Sequence, residues 1–367
     1  MRVGIDGSAF AHRHGDGRFA RNAVGALTEV DDRTEYVLHV DPATALAVEL
    51  PPRAQTRHVA LRRGAATGLR VDATRPPLDL LRLAHAASTG GYDAFLFPSL
   101  IGWVPTVRVR TVVGLHDAHV ERFGAAIMPA RRARAAWRLK QAVAVRRAAR
   151  VFTVSEAARA DLGLEEAAIV PEAPDPVFFP RSRDDQAEVR ARMGIPPGAP
   201  LIVYAAGTGP HKSVETLVDA LADLPEAVAV IAGEPIGRKS VPERVRLPGF
   251  VDDETLARLL SAATVAVVTS RGEGFGLPAV EAAACGAPVV LSDLPAHRES
   301  LGDAASYFPP GDARALATHL RRLVDDEEAR EDAARRARER VAALSWRRAG
   351  EVLRDLVAEA SRARPPR

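Results

Sequence analysis

Short runs of consecutive apolar residues, many of them β-branched, alternate with longer stretches of helical periodicity along the whole chain. In the first half the runs are Val3–Ile5, Tyr36–Val40, Ala94–Phe97, Arg110–Gly114 and Val151–Val154. In the second half they are Leu201–Ala205, Val228–Ala232, Val245–Leu247, Thr264–Thr269 and Pro288–Leu291. Continuous rather than alternating apolar positions predict strands covered on both faces. Strand–helix alternation predicts parallel, doubly wound sheets. Between the halves, the segment Pro171–Pro180 holds four prolines in ten residues. It cannot be helix or central strand and reads as an interdomain linker. The fold class is therefore α/β, with two Rossmann-like doubly wound domains over 1–178 and 179–345. In such sheets ligands bind at the carboxyl ends of the strands, and the cleft between two of them is the expected site.

The last segment reads as an amphipathic helix over 346–362, with Trp346, Ala349, Leu353, Leu356 and Val357 at helical spacing and Ser345 as N-cap. Pro365 and Pro366 follow, so the tail is expected to fray.

Composition narrows the function classes. The chain has 367 residues, 47% of them hydrophobic, ample for two cores. Lysine occurs only three times, at Lys140, Lys212 and Lys239, against heavy use of alanine and arginine. A net charge of +3 with that bias gives no case for nucleic-acid binding. A single cysteine, Cys285, excludes an intrachain disulfide and a multi-cysteine metal site. The opening apolar run is too short for a signal peptide, and no run approaches a membrane span of roughly 18 residues. A cytoplasmic protein is expected.

One stretch carries most of the candidate chemistry: Arg271-Gly-Glu-Gly-Phe-Gly-Leu-Pro-Ala-Val-Glu281. It follows a predicted strand, places Gly272, Gly274 and Gly276 at alternate positions, and enters a helix near Leu277. A glycine loop running into a helix N-terminus can hold an anion through backbone N–H groups and the helix dipole. Its two carboxylates, Glu273 and Glu281, accept hydrogen bonds and so suit hydroxyls. Phosphate beside sugar hydroxyls describes a nucleotide-sugar; a tight strand-to-helix turn with a polar rim is the plainer alternative.

Glu273-Gly-Phe-Gly-Leu-Pro-Ala-Val-Glu281 resembles the Glu-x7-Glu signature of family 4 retaining glycosyltransferases, which have the GT-B fold. Four further stretches resemble the same family in the same order. They are Gly15-Asp-Gly17-Arg-Phe, His116-Asp117 after a strand, Thr153-Val-Ser-Glu-Ala-Ala-Arg-Ala-Asp161, and Leu247-Pro-Gly249-Phe-Val-Asp. The resemblance runs from residue 1 to about 360 and implies that the C-terminal helix crosses back onto the first domain.

That resemblance implies a role for each candidate. Glu273 lies beside the transferred sugar, Glu281 holds the ribose hydroxyls, and backbone N–H groups of Phe275, Gly276 and Leu277 reach sugar and phosphate. Helix-terminus stabilisation is the alternative for Glu281. Lys212, in Gly207-Thr208-Gly209-Pro210-His211-Lys212, is a point charge for the diphosphate. The family often has an arginine immediately before this lysine or five positions before it; here His211 and Gly207 stand there. His211, the Thr208 hydroxyl and Arg271 are the candidate replacements. His116 contacts the donor sugar. Gly15 and Gly17, expected in a loop before a helix starting near Arg18, read as a second phosphate-facing nest, with a flexible hairpin-like loop as the alternative. Phe250 and Val251 line the base pocket.

The implied reaction is metal-independent transfer of a sugar from a nucleoside diphosphate-sugar to an acceptor hydroxyl, with retention. The acceptor is a sugar, a glycolipid or a small-molecule aglycone. No metal and no bound cofactor are expected; the nucleotide-sugar is a substrate. A pseudo-glycosyltransferase, a nucleotide-sugar epimerase and a non-catalytic sugar-nucleotide-binding protein are the rival readings. The segment 131–150 holds eight basic residues and no acidic one. It reads as a solvated helix face, with peripheral contact to the inner face of the membrane as the alternative.

Overall fold

The computed structural model describes residues 1–12, 15–61, 76–204, 206–233 and 241–363. Ala205, Lys239, Pro365 and Pro366 lie outside the described residues. The chain divides into two compact units, Met1–Glu172 with Ser345–Arg367, and Ala173–Leu344. The division falls within the proline-rich segment.

The first unit is built on a seven-stranded sheet. Its strands are β1 (Arg2–Asp6), β2 (Glu35–Val40), β3 (Gln55–His58), β4 (Ala94–Phe97), β5 (Arg110–Gly114), β6 (Arg150–Thr153) and β7 (Ala168–Ile169). The order is β3-β2-β1-β4-β5-β6-β7, with every pairing parallel. The second unit has six strands: β8 (Leu201–Tyr204), β9 (Val228–Ala232), β10 (Val245–Gly249), β11 (Val265–Val268), β12 (Val289–Ser292) and β13 (Ser306–Phe308). Their order is β10-β9-β8-β11-β12-β13, again all parallel. Both sheets are doubly wound, with the strand order reversing beside β1 and beside β8. At such a reversal the connections on either side leave in opposite directions and open a crevice at the carboxyl ends.

Ten of these strands coincide with predicted apolar runs. Three carry no such signal. All four residues of β3 are exposed, and the strand exists by backbone pairing with β2, Val37 opposite Gln55. β7 and β13 are only two and three residues long.

Ser155 caps the helix Glu156–Leu162 through its hydroxyl, which accepts from Ala158 N–H, and Gly163 ends it at φ 64°. The final helix, Trp346–Arg362, is capped by Ser345 and belongs to the first unit. It crosses the helix Gly15–Val30 so closely at Gly350 that a Cβ there would lie 2.6 Å from the backbone of Ala26. Leu353, Val357, Ala349 and Ala360 fill that contact and are fully buried.

The helix Gly15–Val30 corrects one expectation. It begins at Gly15, so Gly15 and Gly17 lie in its first turn and not in a loop before Arg18. Gly17 is required by packing: a Cβ would sit 2.1 Å from the His12 carbonyl oxygen.

Candidate active site

In the second unit the loops after β8 and β11 meet beside the strand-order reversal. β8 ends at Tyr204, and the chain runs through Thr208 and Gly209 into a single 3-10 turn, Pro210–Lys212. β11 ends at Val268 and leads through Glu273 to the helix Leu277–Ala284. Gly276 caps that helix at φ 95°, a left-handed conformation that favours glycine, and Pro278 occupies its first turn.

The two loops are tied at several points. Lys212 Nζ donates to Glu273 Oε1 at 2.7 Å, and Ser270 Oγ donates to the same oxygen at 2.5 Å. Arg271 N–H donates to the His211 carbonyl at 2.8 Å. The Thr269 hydroxyl lies 2.8 Å and 2.9 Å from the carbonyls of Lys212 and Ser213. From below, the buried phenol of Tyr204 donates to the Lys212 carbonyl at 2.9 Å, and burial raises its pKa well above the usual value. Ser213 takes up the resulting tight reversal at φ 48°, unusual for a residue with a side chain. Lysine and glutamate side chains are only 15% and 6% exposed, so their charges are largely withdrawn from water and each is the other's compensation.

Glu281 is 2% exposed. The helix starts at Leu277, so Glu281 sits in its second turn. The dipole effect is confined to the first turn, which leaves helix-end stabilisation a weak account of this buried carboxylate. The side chains of Phe275 and Leu277 are buried, so what they present at the loop is backbone. At the neighbouring strand end, Gly233 after β9 approaches Gly207 and Thr208; a Cβ on Gly233 would lie 3.6 Å from Gly207 Cα. His211 folds back over Gly209. Phe250, beside Val251 after β10, is 52% exposed, unusual for a phenylalanine.

His297 was singled out by no motif. It lies in the helix Pro295–Leu301, beyond β12, fully buried. Its Nδ1 is 2.8 Å from the Ser292 carbonyl. Its Nε2 is buried with no hydrogen-bond partner among the described residues. Such an orphan acceptor costs on the order of 1–3 kcal/mol. Nothing in a lone histidine's sequence context signals this; the glycine loop reaches it only in the folded chain.

In the first unit, His116 lies at the carboxyl end of β5. Its Nε2 lies 2.7 Å from the Pro98 carbonyl, and its ring meets Phe19 edge-on at 4.5 Å. A carbonyl only accepts, so Nε2 carries the proton. Burial lowers the histidine's pKa despite opposing pulls from Asp16, the Pro98 bond and Asp117, so the ring is neutral at pH 7 and Nδ1 is an acceptor. Asp117 bonds His119, through both ring and backbone, with Oδ1 at 3.1 Å from Nδ1. Burial alone would raise the Asp117 pKa; the His119 charge and hydrogen bonds outweigh it and hold the carboxyl below its usual range.

In the basic segment, the helix Arg131–Arg147 turns several cations inward. Lys140 donates to the Ile101 carbonyl, Arg134 to Met128 and Pro129, and Arg147 to Thr106. No helix among the described residues is long and apolar enough to cross a membrane.

Residues 185–340, which contain both stitched loops, match the family model for glycosyl transferases group 1. By that match the stretch is similar to a glycosyl transferases group 1 domain. The chain is similar to the D-inositol 3-phosphate glycosyltransferase of Xylanimonas cellulosilytica, 33% identical over 204 residues, 51% of this chain and 49% of that one. The chain spans about half the length, or less, of the curated relatives it matches. Among solved structures, sucrose-phosphate synthase from Thermosynechococcus elongatus superposes with a TM-score of 0.74 at 22% identity, covering 98% of this chain and 99% of that one. Anabaena HepE in complex with UDP and glucose gives 0.73 at 19% identity, covering 97% and 99%. The group 1 domain and its partner unit therefore share the GT-B fold with these proteins.

Proposed function

We propose that the protein is a retaining glycosyltransferase that moves a sugar from a nucleoside diphosphate-sugar to an acceptor hydroxyl without a metal ion. The observation that carries this reading is the Lys212–Glu273 pair, set between the loops after β8 and β11 and beside a helix N-terminus. A cation, a hydroxyl acceptor and the backbone N–H groups of a helix N-terminus within one strand-end site match diphosphate and sugar together. Lys212 and the N–H groups near Leu277 stabilise the departing diphosphate. Glu273 orients the sugar, and Glu281 holds the ribose. The acceptor oxygen attacks the anomeric carbon on the face the diphosphate leaves. The carbon–oxygen bond to phosphate breaks, the new glycosidic bond forms, and a diphosphate oxygen takes the acceptor proton. Catalysis is then positioning plus charge stabilisation.

UDP-sugars are the first donors to test, because HepE was solved with UDP and glucose. The experiment is a thermal-shift panel of UDP-, GDP-, ADP- and dTDP-sugars, followed by acceptor screening and product NMR. A donor that binds the folded state raises the midpoint by mass action. Transfer with the donor's anomeric configuration, undiminished by EDTA, is the expected result. An inverted product, or conversion of the donor to its epimer without acceptor, overturns the reading.

A further inference from the structure

The glycine loop rests on an imidazole to which the proposed reaction assigns no role. His297 Nδ1 lies 2.8 Å from the Ser292 carbonyl, a contact that puts the ring proton on Nδ1. Burial, reinforced by the Lys212 charge, holds the ring neutral against the pull of Glu273 and the Ser292 bond. Nε2 is thus a bare acceptor, and it is pressed against the loop. A Cβ on Gly276 would lie 2.8 Å from the imidazole Cδ2 and 3.4 Å from Nε2. Buried polar atoms without partners are few in folded proteins, and each calls for an explanation. Here the atom faces a segment with glycines at 272, 274 and 276, whose peptides can rotate at little steric cost.

We infer that His297 is a positioning residue for the donor: when nucleoside diphosphate-sugar binds, a backbone N–H of Glu273–Gly276 turns onto Nε2 and locks the loop in its binding form. The inference rests on the nucleotide-sugar reading of the site. Glu273 is held by Lys212 and Ser270. An anionic diphosphate draws Lys212 away, and the loop then gains its replacement bond from beneath.

The test is calorimetry with UDP, GDP, ADP and dTDP on the whole chain, for the wild type and two variants. His297→Asn keeps an N–H for the Ser292 carbonyl but ends short of Nε2; His297→Gln places an amide oxygen near Nε2 and loses the Ser292 bond. The expected result is nucleotide affinity weakened on the order of tenfold in His297→Asn and retained within about threefold in His297→Gln, the scale of one hydrogen bond. The reverse order, or equal affinity in His297→Asn, overturns the inference while leaving the nucleotide-sugar reading intact. If the wild type binds none of the four nucleotides, both fall. Should His297→Asn fail to fold, side-chain 15N NMR of the wild type decides: the Nε2 signal moves upfield on adding the bound nucleotide, and an unmoved signal overturns the inference.

Discussion

Lys212 Nζ and Glu273 Oε1 stand 2.7 Å apart although 61 residues separate them in the chain. The two residues leave adjacent strands, β8 and β11, at the point where the strand order reverses. The ion pair keeps both charges compensated in a half-dry site until a more highly charged anion competes for the lysine.

Lys212→Ala should lower turnover by about 100-fold or more, the scale of a lost charge stabilising a leaving group. Steady-state kinetics with the identified donor measure it, and near-normal turnover would sink the assignment.

The same pair predicts a stability coupling. Lys212→Ala removes the cation paired with the Glu273 carboxylate, at a cost on the order of 3 kcal/mol. Lys212→Ala combined with Glu273→Gln removes the uncompensated charge and should recover most of that loss. Urea denaturation of Lys212→Ala, Glu273→Gln and the double variant completes the cycle; strict additivity would show that the pair does not couple in solution.

Gly276→Ala should destabilise the loop. Its φ of 95° strains any side chain, and the new methyl carbon would sit 2.8 Å from the His297 ring. A cost of about 1–3 kcal/mol corresponds to a fall of several degrees in the melting temperature of a unit this size. An unchanged midpoint would mean that the helix start can rearrange freely.

Acid should destabilise the first unit through His39. It is 2% exposed and bonds the Tyr92 hydroxyl at 2.6 Å. Burial, then the Arg57 and Arg2 charges, push its pKa from 6.5 down to about 4. Below pH 6.5 the unfolded histidine takes up a proton that the folded one refuses until about pH 4. Stability contributed by the neutral ring is therefore present above pH 6.5 and falls across that window, by about 3 kcal/mol. Urea midpoints at pH 7.5 and pH 4.5 should diverge more for the wild type than for His39→Gln.

His116→Ala should reduce turnover on the order of 100-fold while leaving UDP affinity within about twofold, because the nucleotide contacts assigned here lie in the group 1 domain. Loss of UDP binding in this variant would reassign His116 to nucleotide affinity or to folding.

The doubly wound class was legible in the chain because a strand buried on both faces must be apolar throughout, as in Leu201–Tyr204, where all four residues are fully buried. The last helix was legible for the same local reason: Ser345 stands where unpaired N–H groups need an acceptor. The glycine loop, Lys212 and the two glutamates were legible as chemistry at strand ends. The exposed strand β3 was not, since its pairing is a backbone matter that leaves no apolar trace. Nor was the helix start at Gly15, which depends on how closely the His12 carbonyl packs against Gly17.

The sequence by itself determined that ten apolar segments become strands and which residue types stand at the strand ends, because both follow from local periodicity and chain chemistry. Only the tertiary structure decided that Lys212 and Glu273 compensate each other, that Glu281 is buried past the first turn, and that His297 lies under Gly276. Those relations depend on strand order and on contacts between residues 21 to 61 positions apart, which no local pattern encodes.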